Sequence, residues 1–131
     1  MKKNSIIASA VAVTALVVLA AAIPSDTVIT KDAGATIVNT TELTKNIKGY
    51  KSATPVKITI QKNRVVKIEA LKNRETPQYF AKAKAVLNSF EGKTVTKAAK
   101  MDVDAVTGAT LSSKALVENV RTGLKYYKDH K

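Results

Sequence analysis

The stretch Asp104-Ala105-Val106-Thr107-Gly108-Ala109-Thr110-Leu111-Ser112-Ser113 gathers a glycine, small side chains and several hydroxyls where a loop becomes a helix. Gly108 has no side chain and Ala109 almost none, so an anion can approach the backbone closely. The free N–H groups of the first helical turn point at that anion, and the helix dipole favours it. Ser112 and Ser113 are expected to add hydroxyl donors. This is a phosphate cradle with a threonine hydroxyl, Thr110, at its edge. The same residues also suit a plain capped helix, because Thr and Ser are common N-caps and glycine is common in tight turns.

Other chemistry has little support. The chain has no cysteine, which removes disulfides, thiolate metal sites, covalent haem and a lipidated cysteine. Its one histidine, His130, is next to the C-terminal residue, and fraying there argues against a ligand or catalytic role. No cluster has metal-ligand spacing, and no histidine neighbours Ser112 or Ser113 to activate a nucleophile. Neither a catalytic residue nor a metal site is therefore assigned.

The elements that must position the loop follow from periodicity. Val56, Ile58 and Ile60 alternate with Lys57 and Thr59, and a β-branched run resumes at Val65, Val66, Ile68 and Ala70. Gln61-Lys62-Asn63-Arg64 between them has hairpin length. Ile47–Tyr50 reads as a further short strand. Thr76 and Pro77 open a helix, carried by Phe80, Ala83, Val86, Leu87 and Phe90 and stopped at Gly92. Residues 93–106 are less regular and read as a strand leading into the loop. Leu116, Val120, Leu124 and Tyr127 give a terminal amphipathic helix. The expected fold is α+β: a small, mainly antiparallel sheet with two packed helices.

The chain has 131 residues, and 18 of them, Ile6 to Ile23, form a charge-free run behind Lys2 and Lys3. This reads as an export signal cleaved near Ala20-Ala21-Ala22, or as an uncleaved anchor, and both place the rest outside the cytoplasm. The division is residues 1–22 as signal or anchor, 23–44 as a linker and 45–131 as the domain. The net charge is +12. Cutting after Ala22 removes two of the 22 basic residues and none of the 10 acidic ones, leaving +10. Such a field attracts acidic proteins or an anionic membrane surface. Export, scattered lysines and the absence of interleaved aromatics argue against nucleic acid.

Asp104, Thr107, Gly108, Ala109 and Thr110, with two intervening residues after Asp104, resemble the flavinylation motif of the FMN-binding domain family. That family includes the C subunit of the sodium-translocating NADH:quinone reductase, the G subunit of the Rnf complex and small exported relatives. The similarity runs from about Gly49 to Lys125, and the Val56–Ala70 hairpin, Glu75-Thr76-Pro77 and Ser112-Ser113 fall in the family's order. The resemblance implies FMN joined through its phosphate to Thr110 by an FAD:protein FMN transferase that uses magnesium. It implies cofactor contacts from Asp104, Thr107, Gly108, Ala109, Leu111, Ser112 and Ser113, and from Glu75 and Thr76. The family usually continues Glu-Thr-Pro with glycines. Here Gln78-Tyr79-Phe80 follows, so Tyr79 is a candidate for the flavin face, while Phe80 fits the core by its spacing. The implied function is an extracytoplasmic electron carrier that exchanges electrons with redox proteins. Alternatives are the flavin-bearing subunit of an exported reductase and a cationic polyanion-binding module without flavin.

Overall fold

In the computed structural model, which describes residues 28–131, one antiparallel sheet holds strands β1 (Ile29–Asp32), β2 (Ala35–Asn39), β3 (Val56–Gln61) and β4 (Arg64–Ala70). Their spatial order is β1-β2-β3-β4. Helix α1 (Pro77–Ala83) runs into a 3₁₀ segment (Lys84–Ser89), and α2 (Val95–Lys100) and α3 (Thr110–His130) follow. The fold is α+β, as expected.

Each hairpin turn has two consecutive residues at positive φ, the geometry that matches strand twist. Lys62 and Asn63 (52° and 61°) join β3 to β4, and Ala33 and Gly34 (51° and 85°) join β1 to β2. Alternation then sorts the sheet's faces. Val56, Ile58 and Ile60 of β3, Val38 of β2 and Val65 of β4 are buried. Lys57 and Glu69 form a cross-strand ion pair at 3.7 Å. The outer edge of β4 is closed rather than left open to another chain: Val65 N–H donates to the Lys93 carbonyl, and Ile68 N–H donates to the Glu91 carboxylate.

Helix α3 lies against β2 and β3 with Leu116, Val120 and Leu124 buried. Gly123 lets it come close, because a Cβ there would stand 2.8 Å from both Ile58 Cδ1 and Thr40 Cγ2. One turn earlier, Asn119 is fully buried, and its polar atoms are satisfied. Its Oδ1 accepts from the Thr40 hydroxyl at 2.8 Å, and its Nδ2 donates to the Ala115 carbonyl at 3.0 Å and to Thr54 Oγ1 at 3.3 Å. The connection between β2 and β3 is thus tied to the helix that carries Thr110.

Four expectations are corrected. The linker drawn over 23–44 is folded from Val28 onward: β1 and β2 lie within it, Val28 and Val38 are in the core, and Thr40 and Thr44 are buried. Thr30 and Thr36 are β-branched residues within β1 and β2. Ile47–Tyr50 is not a strand, and Lys48 makes a single bridge to Ala53. The helix begun at Pro77 tightens to 3₁₀ geometry after Ala83. The strand expected in 93–106 is instead α2, capped by Thr94, whose side chain accepts from Lys97 N–H. The apolar run Ile6–Ile23 lies outside the described residues.

Candidate functional site

The loop before α3 is fixed by its own side chains. Gly108 has φ +86°, a conformation that favours glycine. Ala109 N–H donates to the Val106 carbonyl at 2.9 Å. Ser113 Oγ donates to the Ala109 carbonyl at 2.7 Å and accepts from Val106 N–H at 3.0 Å, so one buried hydroxyl staples both ends of the turn. The N-cap is Ala109, without any side-chain cap. Thr110 is therefore the first helical residue and not the cap. Its hydroxyl is exposed and has no hydrogen-bond partner among the described residues. Ser113 N–H makes the first helical bond, to the Ala109 carbonyl, which leaves the amides of Thr110, Leu111 and Ser112 without backbone acceptors.

Behind the loop, Glu75 is 6% exposed and its carboxylate is saturated. Oε1 accepts from Tyr50 N–H at 2.7 Å and from the Ser112 hydroxyl, and Oε2 accepts from Lys51 N–H and from Ser52 N–H at 2.7 Å. Burial by itself raises the carboxyl pKa. The Ser112 hydrogen bond and the three backbone hydrogen bonds more than offset it, and the group is held below the ordinary carboxylate value. Gly49 is required here, since a Cβ at that residue would fall 2.3 Å from Glu75 Oε1 and 3.2 Å from Ser112 Cα. Asn73 Oδ1 accepts from Glu75 N–H at 2.9 Å and presets the turn that presents the carboxylate. The result is a clamp joining the Tyr50 segment to the first turn of α3.

The clamp sets one wall of a cleft of about 330 Å³ lined by Tyr50, Tyr79, Gly108, Ala109, Thr110, Leu111 and Ser112. Tyr50, Tyr79 and Leu111 are 58%, 44% and 55% exposed and cluster at this cleft. The two tyrosine rings meet edge to face, with centroids 6.3 Å apart. Exposed aromatics beside free amides and an unpartnered hydroxyl make a cleft suited to a ligand with one flat ring and one anionic group.

Of the residues singled out in the sequence, Gly108, Ala109, Thr110, Leu111, Ser112 and Tyr79 line this cleft. Phe80 packs against the core. Ser112 and Ser113 do not offer their hydroxyls to the cleft, because both are engaged in holding the loop and the clamp. Glu75 acts from behind the wall. Thr76 is the backbone N-cap of α1 without a side-chain bond. Asp104 and Thr107 are exposed, and neither side chain makes a hydrogen bond among the described residues. Gly49, Tyr50 and Lys82 escaped sequence reasoning. Lys82 stands three residues after Tyr79 on α1, and its Nζ is 3.7 Å from where a Cβ would lie at Gly108.

The chain was compared with protein-family models, curated proteins and solved structures. The model of the FMN-binding domain matches residues 49–125, from the glycine at the clamp to the lysine near the end of α3. No curated protein and no solved structure matches the chain. The match spans more than half of the sequence and contains the whole cleft, and the chain belongs to the FMN-binding domain family.

Proposed function

We propose that this protein carries FMN covalently, with its phosphate esterified to Thr110 Oγ1, and serves as an electron carrier on the outer face of the cytoplasmic membrane. The observation that carries this reading is the state of Thr110: an exposed hydroxyl without a partner, at the first position of a long helix, opening on a cleft walled by two tyrosines. Attachment by an FAD:protein FMN transferase forms the bond from Thr110 Oγ1 to the FMN phosphorus and breaks the pyrophosphate of FAD. AMP departs, and the hydroxyl loses its proton.

The residues present fit such a group. The amides of Leu111 and Ser112 and the positive end of α3 stabilise the one negative charge of a phosphodiester. Gly108 leaves room for it. Tyr79, Tyr50 and Leu111 offer flat or apolar surface to an aromatic ring, and the Glu75 clamp holds Tyr50 opposite Thr110. Bound flavin supplies the redox chemistry. The protein supplies attachment, orientation and a cationic field that draws acidic redox partners. The N-terminal apolar run supports export, and a covalent bond keeps the cofactor from being lost there.

The experiment is co-expression with an FAD:protein FMN transferase, followed by denaturing electrophoresis under ultraviolet light. A fluorescent band in the wild type and none in Thr110→Ala is the expected result. A dark wild-type band beside a fluorescent control protein overturns the covalent reading.

A further inference from the structure

The hydroxyls next to Thr110 are turned away from the cleft, Ser112 to Glu75 and Ser113 to the Ala109 carbonyl. A phosphate on Thr110 therefore finds backbone amides as neutral donors, and the Lys82 ammonium stands beside the loop at Gly108. Lys82 reaches across from the last turn of α1. Its Nζ is 3.7 Å from the position a Cβ would take at Gly108, and no other non-neighbouring heavy atom is within 4 Å of that position. Tyr79 and Lys82, three residues apart, share one face of α1, and Tyr79 lines the cleft.

This placement is unfavourable without an anion. The N-terminus of α3 carries partial positive charge, and cations belong at the other end of a helix. Lys82 makes no ion pair among the described residues, while both Glu118 and Glu42 engage other cations. An ammonium held against a positive helix end in an already cationic protein is compensated by a negative group between the two. Pro77 at the start of α1 and buried Ala83 at its end fix the helix that holds Lys82 in place.

We propose that Lys82 is the counter-charge that positions the phosphate esterified to Thr110. The assignment rests on the covalent reading above. Because the pair lies at the surface, its effect is moderate and screened by salt.

The test compares the melting temperature of the full-length chain with and without transferase-attached FMN, each state verified by intact mass. The variants are Lys82→Ala, Lys82→Arg and, as a control two residues away, Lys84→Ala. At low salt, the gain in melting temperature on flavinylation is expected to be about 2–4 °C smaller in Lys82→Ala than in the wild type. Lys82→Arg restores it, Lys84→Ala leaves it unchanged, and high salt narrows the difference. Without FMN, Lys82→Ala melts at or above the wild-type temperature, because it relieves like-charge repulsion. An equal gain in the wild type and Lys82→Ala overturns the Lys82 assignment alone. Absence of any mass gain in the wild type overturns both that assignment and the covalent reading.

Discussion

Thr110 and Glu75 divide the work at the cleft: the first offers a free hydroxyl, and the second has no free lone pair left to offer. Four donors converge on the Glu75 carboxylate, so an amide in its place would turn an N–H toward N–H donors. Glu75→Gln is expected to destabilise the fold at neutral pH by about 2–4 kcal/mol, read by urea denaturation. The pH dependence has a definite sign. The folded-state pKa is lowered from the ordinary 4.5, so the carboxylate contributes stability that is present above 4.5 and is lost as the pH falls through the lowered folded value. The wild-type and Glu75→Gln stabilities therefore converge on acidification through that window, and a constant difference would contradict the clamp. At this scale the sequence displayed the loop well, since Gly108, Ala109 and Thr110 owe their places to local backbone geometry. The roles of Ser112, Ser113 and Glu75 were not legible. Glu75 and Ser112 meet across 37 residues, a contact only the fold makes, and Ser113 turns its hydroxyl back on the local turn rather than toward the cleft.

Among the elements, α3 bears the site and β3 bears α3. Their contact depends on Gly123, where a methyl group would press on Ile58 and Thr40 at 2.8 Å. Gly123→Ala gains helix propensity of up to about 1 kcal/mol, yet overpacking at such a contact costs about 1–3 kcal/mol. Net destabilisation by thermal melting is expected, and a more stable variant would show that α3 can shift without cost. The strong periodic elements, the β3–β4 hairpin and α3, were readable because each carries its own apolar stripe. Helix α2 was not, because it has six residues and its buried face is Val95 and Ala98, too short and too weakly apolar for periodicity to register. Strands β1 and β2 read as a tether because the stretch from Ser25 to Thr44 is rich in threonine, aspartate, alanine and glycine. The overlooked signal was the β-branched pair Val28-Ile29 facing Thr36-Ile37-Val38 across the two-residue turn at Ala33 and Gly34.

For the whole molecule, the net charge of +12 and the open cleft predict how a reduced, flavinylated protein meets small acceptors. Oxidation by ferricyanide, an anion, is expected to slow about tenfold or more from low to high salt, while oxidation by the hexaammineruthenium(III) cation speeds up, in stopped-flow absorbance. The same salt response for both reagents would contradict steering by the basic surface. Fold class, family and the glycine turn at Gly108 were thus legible in the sequence, whereas the clamp and the tyrosine wall required the tertiary arrangement that brings Tyr50 to Tyr79. On the proposed reading these features serve one bond, from Thr110 to the FMN phosphate, and the mass of the intact chain reports it. The chain produced with an active FAD:protein FMN transferase is expected to be heavier by FMN minus water, with the added mass on the peptide containing Thr110 and absent from Thr110→Ala. An unchanged mass beside a modified control protein, or FMN found on another residue, would contradict the account.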